Sequence, residues 1–247
     1  MPTTEIIVNN ADAAVQILDS AADPNSGGHV AVRDGATATN EDGVNAQTAG
    51  AVYARVSKGG NTTYQCKRYF GFFDTSGITT EVTSATLSVH RASGGGFNVI
   101  VVKSSAFGGD GSAAIDVDSF NDLDFSTPYS SATSIPASTG YHDITLNSTA
   151  LADIKNNDIL IIALCQHAND FSDSDPGSGV QMEESLTINT GNHSSQPKLS
   201  VTTAEDPPLK LKSGLKFFQP SFNYSPLFLT QEVVNKELHL ILNFYQL

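Results

Sequence analysis

Tryptophan is absent from this 247-residue chain, and cysteine and methionine occur twice each. Two cysteines, Cys66 and Cys165, without a CxxC pair exclude a disulfide framework of the kind that staples small secreted folds. Both sit in apolar strand-like runs, "TYQCKRYF" and "ILIIALCQH", which predicts two buried free thiols and leaves a single disulfide open. Positive charge is scarce: 13 Lys and Arg stand against 26 Asp and Glu, a formal net charge of −13. A surface of that sign repels phosphate backbones, so nucleic acid is not an expected partner. No apolar run reaches the roughly eighteen residues that a bilayer-spanning helix needs, so no membrane partner is expected. The start "MPTTEIIVNN" has neither a basic n-region nor an apolar h-region, so folding in a cytoplasm is the expectation.

The signatures of catalysis are missing as well. The six histidines, His29, His90, His142, His167, His193 and His239, fall in no HxH, HxxxH or HExxH spacing, so no zinc or iron site is signalled. No GxSxG elbow occurs. "RASGGGF" is glycine-rich but joins two strand-like runs and precedes no helix, which reads as a hairpin turn and not a phosphate cradle. A glycosidase would need two carboxylates about 5 to 9 Å apart. The densest acidic groups, Asp116, Asp118, Asp122 and Asp124 in "IDVDSFNDLDF" and the pair Glu183 and Glu184, read as solvated loop charge. No catalytic residue and no cofactor-binding residue is expected, and the chain reads as a protein other than an enzyme.

What is present is strand after short strand. "EIIVNN", "HVAVRD", "AVYARVS", "TTYQCKRYFGFF", "SATLSVHR", "FNVIVVKSS", "HDITL", "DILIIALCQ" and "QPKLSVTT" are separated by Gly, Ser, Asn and Asp clusters. Many short strands with such punctuation predict an all-β sandwich or barrel. In "SATLSVHR" the alternation puts Ala85, Leu87 and Val89 on one face and Thr86, Ser88 and His90 on the other, a half-solvated antiparallel strand. "DILIIALC" is apolar on both faces and reads as a central strand. One short helix is expected in "NSTALADIKNND", capped by Asn147 or Ser148, with Leu151 and Ile154 facing inward.

The densest aromatic surface lies in "RYFGFFDTSGITTEVTSATLSV", residues 68 to 89. It admits three readings: a sugar-stacking platform, an apolar active-site wall, or the middle of a packed sheet. The residues suggest an apolar strand, a turn at "DTSG" and a second strand pairing back. Arg68, Phe70, Phe73, Asp74, Ser76, Ile78, Ala85, Thr86 and Leu87 resemble the core of the DNRLRE-type jelly-roll domain. That carbohydrate-binding-module-like sandwich occurs in secreted bacterial proteins and in tailed-phage structural proteins. The likeness continues in "GYHDITLNSTALADIKNNDILIIAL" and "QPKLSVTT", and covers most of residues 50 to 202. It implies an antiparallel jelly-roll β-sandwich with Phe70 and Phe73 in the core and Asp74 as turn former.

Three regions follow: N-terminal strands and loops over 1–49, the jelly-roll core over 50–202, and an apolar arm over 203–247. The arm holds nine of the eighteen leucines and five of the thirteen phenylalanines but one glycine, Gly214, and its charges cancel. It is too short for its own core and is expected to bury itself against the sandwich or another chain. Phe217, Phe218, Phe228, Leu238, Leu240, Leu242 and Phe244 are its candidate partner-binding residues. The alternation in "ELHLILNF" favours a strand added to a neighbour's sheet edge over a helix from Gln231 to Tyr245.

The resemblance and the arm together imply a virion structural protein of a tailed phage, made in the host cytoplasm. A capsid decoration (cement) or head-attached protein is the first expectation, a homo-oligomer contacting capsid or other virion proteins. The alternative is a carbohydrate-binding adhesin or tail-associated module recognising host surface glycans. Its stacking residues would be Tyr53, Tyr64, Tyr69 and Phe72, exposed on one face. Jelly rolls often carry a structural ion, and "NDFSDSDPGSG" spaces Asp173, Asp175 and the Gly177 carbonyl loosely like a calcium loop. The twelve-residue pattern with its terminal Glu is missing, so no metal is the base expectation and calcium the variant of it.

Overall fold

The computed structural model describes residues 1–22, 28–38, 40–41, 48–58, 61–177, 180–190, 193–205, 230–234 and 237–241. The chain divides into two compact units, Met1–Asp206 and Pro207–Leu247. In chain order come β1 (Thr3–Ile7), β2 (Asn9–Ala22), helix α1 (Gly28–Asp34), β3 (Asn40–Glu41), β4 (Thr48–Lys58), β5 (Asn61–Asp74), β6 (Val82–Gly94) and β7 (Phe97–Ser104). Then follow β8 (Leu123–Pro128), β9 (Thr133–Ile135), β10 (Gly140–Thr145), helix α2 (Ser148–Asn156), β11 (Ile159–Gln166), β12 (Met182–Asn189) and β13 (Lys198–Thr203). The second unit holds a hairpin of β14 (Thr230–Val234) and β15 (Glu237–Ile241).

All described pairings are antiparallel, and the first unit is an all-β sandwich. One layer comprises β1, β13, β6 and β10. The other comprises β4, β5, β11 and β7, with β2 along β5 and with β8 and β9 along β7. β12 ties the two together, pairing with β4 along its length and with β6 at Leu186–Ile188. Between the layers, Leu87 and Val89 of β6, Ile144 of β10 and Leu199 of β13 share one core with Tyr69 and Phe73 of β5 and Leu164 of β11. The alternation expected for β6 is present, with Ala85, Leu87 and Val89 buried and Thr86, Ser88 and His90 half-buried. Asn147 caps α2, its Oδ1 accepting from the amides of Thr149 at 3.0 Å and Ala150 at 3.1 Å. Ala150 and Ile154 of that helix are buried, and Leu151 packs partly against the core.

The central strands of the second layer, β5, β11 and β7, are buried on both faces. Phe70 and Phe72 of β5, Ile100 and Val102 of β7, and Ile161 and Ala163 of β11 belong to a separate outer core. Val32 of α1 and Ala106, Phe107, Ile115 and Phe120 of the long segment between β7 and β8 cover it. Phe70, Phe73, Leu87, Ile161 and Leu164 are all buried, as their apolar patterns predict, but Phe70 and Ile161 face outward into this second core. Each buried ring contributes about 1.5–3 kcal/mol of transfer free energy.

Four expectations are corrected. "HVAVRD" folds as α1, because a helix buries His29 and Val32 one turn apart while Val30 stays 55% exposed. β5 does not pair back with β6 across "DTSG": β5 bonds β2, β4 and β11, and the chain crosses to the other layer there. Asp74 still forms the turn, accepting from the Ser76 amide at 3.0 Å and hydroxyl at 2.6 Å. "RASGGGF" likewise joins β6 to β7 across layers and closes no hairpin. Gly94 there has φ +76°, and a Cβ on it would stand 1.7 Å from the Ser185 carbonyl oxygen, so glycine is required. In the arm, residues 237–241 are the strand that the alternation favours, and the correction concerns its partner: they pair with Thr230–Val234 of the same chain and not with a neighbour's sheet edge.

Candidate functional site

The outer core contains a fully buried ion pair. On β5 the outward-facing row runs Cys66, Arg68, Phe70, Phe72, so a guanidinium sits in an apolar row. Its partner is Asp170 in the tight helical turn His167–Phe171 that follows β11. Both side chains are 0% exposed. Arg68 Nη2 donates to Asp170 Oδ1 at 2.7 Å, and Nε donates to both carboxylate oxygens at 3.2 and 3.1 Å. The remaining donors reach two backbone carbonyls, Nη1 to Phe120 at 3.0 Å and Nη2 to Arg33 at 2.6 Å. The Phe120 and Phe125 rings lie 4.0 and 5.3 Å from the guanidinium carbon.

Burial alone would lower the Arg68 pKa, but the Asp170 carboxylate outweighs it and the net shift is upward. Cys66 and Cys165 lie in the same core as free thiols. Burial, then the Asp170 charge, pushes both thiols well above their ordinary value. They are therefore unreactive at neutral pH. Gln166 fixes the turn, its Oε1 accepting from the amides of Asn169 at 2.6 Å and Asp170 at 3.2 Å, while its Nε2 donates to Glu184. A bidentate pair whose donors also hold α1, the segment before β8 and the turn after β11 is a clamp. It fastens a helix, a connecting segment and a turn to one strand.

Above the clamp, polarity reaches the surface through α1. Arg33 Nε donates to the Asp170 carbonyl at 2.5 Å and lies 3.5 Å from Asp173, and its guanidinium carbon sits 4.8 Å from the Phe125 ring centre. The buried His29 binds the Tyr53 hydroxyl with Nδ1 and Asp173 Oδ1 with Nε2, the latter at 3.1 Å. Burial is the main reason the Tyr53 hydroxyl is held far above its ordinary pKa. Gly28 opens this helix hard against Tyr64, where a Cβ would meet the ring at 2.3 Å.

This geometry places the residues named from the sequence. Tyr53, Tyr64, Tyr69 and Phe72, offered as an exposed sugar platform, are 0%, 9%, 0% and 7% exposed. Tyr69 points between the layers, and the other three lie in the outer core under α1 and the segment before β8, so they present no stacking face. Of the calcium candidates, Asp173 is engaged by His29 and Arg33, and Asp175 Oδ1 accepts the Gly177 amide at 2.9 Å. Among the described residues, no group of three His, Cys, Asp or Glu could hold a metal ion. Asp116 caps a short turn, accepting from the amides of Asp118 and Ser119 at 3.1 Å each. Asp124 accepts from Ser126 and Thr127, which hold it below its ordinary pKa, whereas partial burial and then Asp116 and Asp118 raise Asp122. Glu183 and Glu184 are not loop charges but lie on β12.

Leu238 and Leu240 lie on β15. Phe217, Phe218, Phe228, Leu242 and Phe244 lie outside the described residues. The pairing of Arg68 with Asp170 was not legible, although one charge in an apolar strand row signals that some acid must meet it. No protein-family model matches the chain, and no curated protein matches it.

Proposed function

We propose that this chain is a structural binding module that works through protein–protein contact: a jelly-roll sandwich and virion component of a tailed phage, in the role of a capsid decoration or head-attached protein. The observation that carries the reading is the sealed clamp. Every donor nitrogen of Arg68 is bonded to Asp170 or to a backbone carbonyl, and both residues are fully buried, so the polar centre stabilises loops and meets no substrate. The resemblance over residues 50 to 202 supports the jelly-roll topology and the virion setting. The leucine- and phenylalanine-rich composition of residues 203 to 247 supports a partner-facing role for the second unit. The test is electron microscopy of particles assembled with and without the chain. Added density on the capsid surface supports the reading; identical particles, with the chain left free in solution, contradict it.

A further inference from the structure

The layer β1–β13–β6–β10 ends, on one side, in a strand whose outer hydrogen-bonding edge has no partner among the described residues. The direction of its backbone groups follows from two bonds. Val8 donates its amide to the Pro197 carbonyl at 3.1 Å, and Thr203 donates to the Pro2 carbonyl at 3.1 Å. Successive residues of a strand present their N–H and C=O to alternate edges. Thr4 and Ile6 therefore face β13, while Thr3, Glu5 and Ile7 aim donors and acceptors outward.

The rim strand β8 of the other layer is guarded. β8 ends in Pro128, its register against β7 shifts between Val102 and Lys103, and Asp124 takes the Ser126 amide at 2.9 Å. β1 has none of these devices: no proline within it and an unbroken register against β13. Ile7 is 48% exposed, and Ile6 packs only partly against the interior core.

We propose that β1 is a homodimer interface, with two copies pairing their β1 strands antiparallel about a twofold axis at Ile6. In this register Glu5 of one copy stands opposite Ile7 of the other, and these two outward residues exchange amides and carbonyls, while Thr3 falls opposite Asn9, beyond the strand. Charge excludes one register, and apolar contact favours the one at Ile6. A twofold at Glu5 would oppose two carboxylates across a ladder, which is destabilising. At Ile6 the carboxylates separate, each Glu5 keeps its own Lys198 at 3.1 Å, and the two Ile6 side chains continue the core across the seam. This surface belongs to the first unit and is independent of the contacts proposed for the second.

The test uses the full chain in sedimentation velocity and amide hydrogen exchange across a range of concentrations. A dimer is expected, with the amides of Glu5 and Ile7 slowing by about tenfold or more as it forms. Glu5→Pro deletes one outward amide and none that bonds β13, so it should yield a folded monomer. Ile7→Glu, which sets a second carboxylate opposite the partner copy's Glu5 while facing Lys198 within its own copy, should do the same and covers the case in which the proline variant fails to fold. The proposal is overturned by a monomer at all concentrations, by a dimer in which those two amides exchange freely, or by folded variants that still dimerise. Growth beyond a dimer also overturns it, since β1 meeting the free edge of a neighbour's β10 would be heterologous and run on into filaments.

Discussion

Replacing Arg68 with methionine tests the clamp directly. The guanidinium bridges Asp170 and the carbonyls of Phe120 and Arg33 in a site with no solvent exposure. Arg68→Met leaves a buried carboxylate without a cation and two carbonyls without their donor. Removing one partner of a buried pair costs about 3–5 kcal/mol, whereas replacing both partners by apolar groups is often close to neutral. At about 2–4 °C per kcal/mol for a unit of this size, the single variant should melt roughly 6–20 °C below the parent. Arg68→Met/Asp170→Leu should recover most of that loss, which gives the coupling between the two residues. Urea denaturation of the parent, the single and the double variant reads both effects. Equal stability of parent and single variant would refute the reasoning, as would a double variant no better than the single.

Three further outcomes follow from particular contacts. Phe73→Ala empties a fully buried ring site between the layers and should cost roughly 3–5 kcal/mol in denaturant titration. Gly94→Ala drives a Cβ into the Ser185 carbonyl and should cost well over about 1 kcal/mol, more than Gly96→Ala, whose position has φ +89° but open space around it. Asp153 accepts from Lys103 at 2.8 Å and from Tyr129; burial raises its pKa, but these bonds override it and the net direction is down. A depressed carboxylate contributes stability above its unfolded pKa of about 3.9 and loses it as acid protonates the folded state. The advantage of the parent over Asp153→Asn should therefore hold at neutral pH and shrink below about pH 4 in pH-stepped urea melts.

Local rules carried much of the fold. Period-two alternation located β6, two-sided apolarity marked β11 as central, and the start of α2 was narrowed to a cap at Asn147 or Ser148, of which the structure uses Asn147. Long-range choices were not legible. "HVAVRD" alternates like a strand, yet burying His29 against Tyr53 and Asp173 favours a helical turn, and both partners are remote in sequence. Nothing local told that "DTSG" and "SGGG" cross between layers, because a turn residue permits a change of direction without naming the next partner strand. Arg68 announced that it needed an acid, but 26 acidic residues offered candidates and only folding brings Asp170 to it. Strand character in residues 237–241 was readable from alternation; its pairing with residues 230–234 was not.

The central claim is that the chain acts by attaching to an assembly, with residues 207–247 as the attaching unit. Co-sedimentation of phage particles with the full chain and with a chain ending at Asp206 measures this most directly. The account predicts that the full chain pellets with the particles while the shortened chain, still folded by circular dichroism, stays in the supernatant. A shortened chain that pellets as well as the full one would contradict it.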